Sequence, residues 1–229
     1  VLNNAWYSQQ DRTSFHWFND NQQWMQVDKI GHAFTAYQIS RVTTKSFQWA
    51  GVGDTEAHLY GTLCGILYQT PIEIMDGFAS GYGASWGDLA ANTAGSLFWL
   101  GQYGLWKEER IHFKYSFHRT SYATQRPNVL GDGWSQEWLK DYNGQTYWLS
   151  FDMYALTNKA SWVPHWLNLI VGYGADGMLF AHQDANELAG LNPKRQFYIG
   201  LDLDMSHVKT KSKVLNSVLY LIDMIKLPM

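Results

Sequence analysis

A long stretch without a positive charge limits how this chain can fold. Between Lys45 and Lys107 there is no Lys or Arg, although the stretch is rich in apolar residues and glycine. A carboxylate buried among apolar side chains must find a cation, a hydrogen-bond donor or a proton. Any fold of this stretch must therefore expose its carboxylates or bring partners to them. These carboxylates are Asp54, Glu56, Glu73, Asp76 and Asp88.

Three helices are predicted in the N-terminal half of the chain, one before this stretch and two within it. Apolar residues recur at helical spacing over residues 24–41, and a second helix is predicted over 55–70, where Pro71 breaks or kinks it. An S-x-x-D capping pattern that ends at Asp88 precedes a third helix over 89–106. The third helix carries no formal charge, but its Asn, Thr, Ser and Gln residues favour a buried or interfacial helix over a membrane span.

The C-terminal half alternates between apolar and polar residues at 149–153 and 197–205, which predicts two half-buried strands. The basic residues Lys209, Lys211 and Lys213 lead into an amphipathic helix that can dock on protein or anionic lipid. We therefore expect a mainly α fold, with a helical bundle core, a small β element in the C-terminal half and a C-terminal amphipathic helix. The expected domains are a helical core at 1–108 and an extension at 109–229, packed together as one unit.

Polar residues are paired at helical spacing, so each pair faces one direction where the backbone is helical. If the helices pack together, these pairs converge into one buried polar cluster that also contains Lys29. The pairs are Asp28 with His32, Glu73 with Asp76, and Asp88 with Asn92.

A divalent metal ion is one way to balance these carboxylates. Carboxylates with one His suit magnesium, calcium, manganese or zinc, and such a site can activate water. The alternative is a structural network, in which Asp88 caps its helix, Asp28 pairs with Lys29 or His32, and Asn92 satisfies backbone groups. The candidate metal ligands are Asp28, His32, Glu73, Asp76 and Asp88.

Composition limits the partners of the chain. Aromatic residues make up 16% of it, more than a soluble core needs, so we expect its surface to meet something apolar. The net charge is −3, which gives no basic field for nucleic acid. The single cysteine, Cys64, excludes an intrachain disulfide, and a lipidated cysteine would have to lie upstream of Val1.

Three segments carry a family resemblance: DKIGH at 28–32, PIEIMDG at 71–77 and SWGDLAANTAG at 85–95. Over residues 24–105 the chain resembles the YfiM-like predicted periplasmic lipoproteins, a family of unknown function, and more distantly the helical VanZ-like envelope proteins. The strongly apolar spans of the latter are missing here. Later stretches also resemble longer YfiM-like proteins, at 126–128, 140–148, 166–168 and 172–175.

The resemblance implies a helical protein of the bacterial cell envelope, in the periplasm or at the outer membrane. It implies no established activity. The matching polar positions are Asp28, Lys29, His32, Glu73, Asp88 and Asn92.

Our leading hypothesis is a non-enzymatic, membrane-associated envelope protein that supports an outer-membrane assembly. Its expected partners are a membrane or lipid interface and outer-membrane proteins. The alternative is a metal-dependent envelope hydrolase or lipid-modifying enzyme that uses the clustered carboxylates and His32. A third possibility, a small-molecule binding module, requires an aromatic-lined cavity between helices.

Overall fold

The structure is a computed structural model that describes residues 11–208 and 210–226. The chain divides into two compact units, the first ending at Tyr103 and the second beginning at Gly104. The helices are α1 (Val27–Trp49), α2 (Asp54–Tyr68), α3 (Thr70–Gly77), α4 (Trp86–Trp106), α5 (Tyr122–Gln125), α6 (Pro127–Leu130), α7 (Trp134–Lys140), α8 (Met153–Leu156), α9 (Gln183–Leu188) and α10 (Lys213–Ile222). The strands are β1 (Ile111–Phe117), β2 (Gln145–Asp152), β3 (Leu167–Asp176) and β4 (Lys194–Leu203).

The expected mainly α fold is wrong. The protein is 50% helical and 19% strand, and the second unit is built on a four-stranded antiparallel sheet, so the fold is mixed α and β. The physical reason is that a strand needs hydrogen-bonded neighbours. The two strands expected near 149–153 and 197–205 correspond to β2 and β4, which are joined through β3, a strand that the sequence analysis did not predict.

The first unit is built from α1 to α4, with close backbone approach at glycines. A side chain at Gly61 in α2 would collide with Ser40 and Thr44 of α1. A side chain at Gly95 in α4 would collide with the backbone of Ala33, also in α1. These glycines let α2 and α4 pack directly against α1, which brings polar residues of the helices close together.

A break separates α2 from α3. The backbone turns at Gln69, and Pro71 lies in the first turn of α3. Proline is tolerated there because its missing N–H would have no partner within the helix. The break makes α3 a separate short helix and places Glu73 in its first turn.

The sheet of the second unit is a simple meander in the order β1-β2-β3-β4. Residues just after α10 extend it, since Tyr115 N donates to Met224 O at 2.8 Å and Lys226 N donates to Tyr115 O at 2.9 Å. The other edge strand, β4, has an unusual orientation. Phe197 and Ile199 are 75% and 76% exposed, whereas Asp202 is buried. The polar side of this strand therefore faces the interior and the apolar side faces out.

The amphipathic C-terminal segment forms α10. Ser212 caps it, because its hydroxyl accepts a hydrogen bond from the backbone N–H of Leu215. Lys211 and Lys213 are exposed at its start, while Lys209 lies outside the described residues. No helix within the described residues combines the length and apolar character needed to cross a bilayer.

Candidate functional site

Lys29 is the central cation of a polar cluster in the first unit. Its ammonium lies 2.6 Å from Asp20 Oδ2, 2.7 Å from Asp88 Oδ1 and 3.2 Å from Asp28 Oδ2. Burial alone would lower the pKa of Lys29, but the nearby Asp28 and Asp88 carboxylates raise it above its ordinary value. Lys29 therefore stays charged and holds three carboxylates together.

His32 lies one helical turn further along α1 and faces the same carboxylates. Its Nε2 atom is 3.5 Å from Asp88 Oδ1 and 3.9 Å from Asp28 Oδ1. On the other side of the ring, Nδ1 lies 3.2 Å from Asn92 Oδ1 and 3.8 Å from Glu73 Oε1. Burial would lower the pKa of His32, but Asp28, Asp88 and Glu73 raise it overall, so the protonated imidazole is favoured.

Glu73 is the most deeply buried acid of this cluster. Its Oε2 atom accepts a hydrogen bond from Ser85 N at 3.1 Å. Within the described residues, its Oε1 atom receives no hydrogen bond. Burial and the neighbouring Asp88 raise the pKa of Glu73 to about 7. A protonated carboxyl oxygen can donate a hydrogen bond instead of accepting one. Protonation of Glu73 is therefore compatible with the lack of a donor to Oε1 among the described residues.

Asp88 connects the cluster to the start of α4. Ser85 Oγ accepts a hydrogen bond from Asp88 N at 3.2 Å and donates one to Asp20 Oδ1 at 2.6 Å. Burial and the Asp28 carboxylate raise the pKa of Asp88 to about 6. Ser85 thus acts as the helix cap that the S-x-x-D pattern indicated, and it also fixes Asp20.

The structure brings most of the predicted site residues together. Asp76 affects the cluster through the charge of its carboxylate, which raises the pKa of Glu73. Of the five candidate metal ligands, Asp28, His32 and Asp88 have ligand atoms within 4.8 Å of one another, and Glu73 and Asp76 do not belong to that group. We call the following set the helical cluster: Asp20, Asp28, Lys29, His32, Gln69, Glu73, Ser85, Asp88 and Asn92.

Sequence reasoning missed two members of the helical cluster. Asp20 precedes the first helix in a polar segment without periodicity, so no sequence signal pointed to it. Gln69 lies at the break between α2 and α3, where its side-chain amide donates to Asn92 Oδ1 at 2.5 Å and to His32 O at 3.1 Å. Pro71 was the available signal for Gln69. A proline that breaks a helix frees backbone and side-chain groups just before it, and these groups can then form hydrogen bonds with neighbouring helices.

The helical cluster can perform two kinds of chemistry. Glu73, with a pKa of about 7, can exchange protons near neutral pH, because a group with a pKa near the working pH is an effective acid or base. Asp28, His32 and Asp88 can contribute three ligand atoms to a cation. Lys29 already contacts two of these three residues, so a cation bound there would compete with its ammonium.

A second polar network, missed entirely by the sequence analysis, lies on the buried face of the sheet. Lys114 Nζ lies 2.8 Å from Asp202 Oδ2 and 3.0 Å from Asp223 Oδ1. His112 Nδ1 lies 3.1 Å from Asp223 Oδ2. Ser150 Oγ donates to Asp202 Oδ2 at 2.9 Å. We call the following set the sheet cluster: His112, Lys114, Ser150, Asn168, Asp202 and Asp223.

In the sheet cluster, burial and neighbouring charges shift the pKa values of the cations in opposite directions. Burial alone would lower the pKa of both His112 and Lys114. Neighbouring carboxylates outweigh it, with Glu109 and Asp223 raising the pKa of His112 and Asp223 and Asp202 raising that of Lys114. The two cations therefore stay protonated in an almost dry interior. The alternation of polar residues in these strands was the available signal, but it normally marks a solvent-facing side.

Comparison with known proteins identifies a family match in the first unit. Residues 16–100 match the family described as Predicted periplasmic lipoprotein (DUF2279). This segment contains the whole helical cluster and stops before the sheet. No curated protein and no solved structure matches the chain significantly. The family description confirms the expected location in the bacterial cell envelope, while the finer YfiM-like and VanZ-like resemblances stay predictions.

Proposed function

We propose that this envelope protein is a membrane-associated accessory protein that contacts a lipid surface through α10. The observation that supports this proposal is the exposed apolar side of the helix. Its largest exposed apolar side chains lie at positions i, i+1, i+4 and i+7, so they share one side of the helix. They are Val214, Leu215, Val218 and Leu221.

The charges beside α10 favour an anionic lipid surface as its partner. Lys211 and Lys213 are exposed at the start of the helix. A helix with an apolar side and basic residues lies in the interface of a bilayer, where its apolar side enters the headgroup region. Each Lys near an anionic surface contributes about 1 kcal/mol of attraction. Apolar contact and charge would therefore act together.

Vesicle binding tests this part of the proposal. The full chain should co-sediment with phosphatidylglycerol vesicles and bind phosphatidylcholine vesicles more weakly. The double change Lys211→Gln and Lys213→Gln should weaken binding to the anionic vesicles roughly 10- to 30-fold. Leu221→Glu should weaken binding to both kinds of vesicle.

A matched control for Leu221 is Leu188, which is exposed on α9 of the same unit. Leu188→Glu should leave vesicle binding unchanged. Equal loss of binding from Leu188→Glu and Leu221→Glu would contradict a specific role for α10. Absence of binding to either kind of vesicle would contradict the lipid contact itself.

The supporting role in an outer-membrane assembly rests on β4. This strand lies at the edge of the sheet and exposes Phe197 and Ile199 on its outer side. An exposed edge strand offers unpaired backbone groups to an extended segment of another protein, and the apolar side adds contact area. We propose that a strand of an outer-membrane protein pairs with β4.

Ile199→Lys tests the role of β4, because the side chain is exposed and the change should not unfold the sheet. In detergent-solubilised outer membranes, the unaltered chain should migrate with a larger complex on native gels. Ile199→Lys should move it to the position of the free chain, and Leu188→Lys should not. A complex that survives Ile199→Lys would rule out this contact.

A metal-dependent hydrolase or lipid-modifying enzyme is the second candidate function. The observation that favours it is the approach of ligand atoms from Asp28, His32 and Asp88 to within 4.8 Å, next to an acid with a pKa of about 7. Elemental analysis of the purified chain is the test. A stoichiometric metal ion that His32→Ala removes would support this candidate. Lack of such an ion, with only a loss of stability from His32→Ala, would remove it.

A further inference from the structure

Three side chains meet at one end of the sheet in the second unit, where β2 and β4 both finish. Asp152 is the last residue of β2, Asp204 follows β4 directly, and His207 ends the short 3-10 turn after it. The ligand atoms of these three residues lie within 4.8 Å of one another. We call Asp152, Asp204 and His207 the turn triad.

The distances within the turn triad fit a metal ion. Nε2 of His207 lies 3.2 Å from Asp152 Oδ2 and 3.7 Å from Asp204 Oδ2. In a tetrahedral site with metal–ligand bonds of about 2.1 Å, ligand atoms are separated by about 3.4 Å. The two measured distances lie on either side of this value. Two carboxylate oxygens and one imidazole nitrogen form a donor set that suits zinc and other borderline divalent metals.

Asn168 gives an independent indication of a ligand. Its side chain is completely buried, and its amide nitrogen donates to Asp204 Oδ2 at 3.2 Å. Within the described residues, its amide oxygen has no hydrogen-bond partner. That oxygen belongs to the same amide group whose nitrogen contacts Asp204 Oδ2 of the triad and also donates to Ser150 Oγ at 3.1 Å. A buried amide oxygen without a partner is costly unless it meets a cation or a donor.

The turn triad is also accessible. The side chain of His207 is 33% exposed, while those of Asp152 and Asp204 are 6% and 0% exposed. A second imidazole is close by, because the ring centroid of His165 lies 5.9 Å from that of His207. An ion can therefore enter from the His207 side and reach oxygens that are otherwise buried.

We propose that Asp152, Asp204 and His207 bind one divalent metal ion of borderline character, with Zn²⁺ as the best match and Asn168 Oδ1 as a further donor. The ion would tie the turn after β4 to the end of β2. This site lies outside residues 16–100, so the family match does not include it. It is independent of lipid binding by α10.

Zinc binding by the full chain tests this proposal. After treatment with a chelator, the chain should take up one Zn²⁺ per molecule in equilibrium dialysis, and its melting temperature should rise with added zinc. His207→Ala should weaken zinc affinity at least about tenfold, because even changes outside the ligand shell cost about 10- to 100-fold. His207→Gln, which keeps a polar side chain beside Asp152, should weaken it similarly.

Control variants separate the turn triad from other histidines. His118 is exposed in the same unit, and His118→Ala should leave zinc affinity unchanged. His32→Ala, in the helical cluster, tests the other candidate metal site, and loss of zinc from this variant would place the ion there instead. Circular dichroism would show that each variant is folded. The proposal is overturned if the unaltered chain takes up no zinc, if both folded His207 variants bind as tightly as it does, or if His32→Ala abolishes uptake instead.

Discussion

Lys29 in the helical cluster and Lys114 in the sheet cluster both hold aspartates together, but they differ in contact with water. The side chain of Lys29 is 13% exposed, and that of Lys114 is 1% exposed. Lys29 contacts three carboxylates and Lys114 contacts two. The same ion-pair chemistry is therefore present in a partly hydrated site and in a nearly dry one.

Because of this difference in hydration, only one of the two clusters can change its charge near neutral pH. In the sheet cluster an unpaired charge would be buried, so each charge depends strongly on its partners. In the helical cluster, Glu73 and Asp88 have pKa values of about 7 and 6, within reach of physiological pH. We infer that the sheet cluster mainly stabilises the second unit, while the helical cluster can titrate.

The largest effect is expected from Lys114→Met. The change leaves Asp202 and Asp223 without the ammonium that lies 2.8 and 3.0 Å from them. Breaking a buried ion pair by removing one partner costs about 3–5 kcal/mol. The free energy of unfolding, measured by urea denaturation of the full chain, should fall by that amount.

The matching change in the helical cluster is Lys29→Met, which should cost less, about 1–3 kcal/mol, because the side chains of Asp20 and Asp28 are 16% and 20% exposed to water. Lys45 is exposed on α1, and Lys45→Met should change stability by less than about 0.5 kcal/mol. If Lys29→Met proved more destabilising than Lys114→Met, the distinction between a hydrated and a dry cluster would be lost.

The pH dependence of stability in the variant Glu73→Gln tests whether the helical cluster titrates. The pKa of Glu73 in the folded protein, about 7, lies above the ordinary value of 4.5. Between these two values the folded chain keeps a proton that the unfolded chain has released. The stabilising contribution is complete below pH 4.5, and stability falls as pH rises toward and through 7. Glu73→Gln should make this fall shallower and should not destabilise the protein at pH 8.

Glu73 and Asp88 affect the folding stability over different pH ranges. The pKa of Asp88 rises only to about 6, so the fall in stability between pH 6 and 7 is due mainly to Glu73, and Glu73→Gln should remove most of it there. Melting temperatures measured from pH 4 to pH 8 give this profile. The exposed Glu56 in α2 provides the control variant Glu56→Gln, which removes one carboxylate charge outside the helical cluster. An unchanged slope in Glu73→Gln would mean that the Glu73 carboxyl is ionised throughout.

The helices of the first unit were largely predictable from sequence. Periodicity and the capping pattern at Ser85 depend on neighbouring residues, so α1, α2 and α4 start within a few residues of their predicted positions. The first helix nevertheless continues to Trp49, beyond the expected end at Arg41. Asp20 was unpredictable, because it joins the helical cluster through tertiary contacts alone.

The second unit was less predictable, for two different reasons. The alternation of IHFKYSF in β1 is a usable strand signal, although β1 was not among the predicted strands. The burial of Lys114 could not be predicted in the same way, because its charge is balanced by the carboxylate of Asp223, which is distant in sequence. Alternation predicts that one side of a strand is buried, whereas β1 is buried on both sides, since Phe113 and Tyr115 are buried on one side and His112 and Lys114 on the other.

The smallest effect concerns two serine caps. Ser85 Oγ accepts a hydrogen bond from Asp88 N and donates to Asp20, whereas Ser212 Oγ accepts a hydrogen bond from Leu215 N at the exposed start of α10. Loss of a serine cap costs about 0.5–2 kcal/mol. Ser85→Ala should lie near the upper end of that range, because it also frees a carboxylate oxygen of Asp20 in the helical cluster. Ser212→Ala should lie near the lower end, because water can replace the lost hydroxyl. Urea denaturation of both variants checks this order, and equal costs would mean that the hydrogen bond from Ser85 to Asp20 adds nothing to stability.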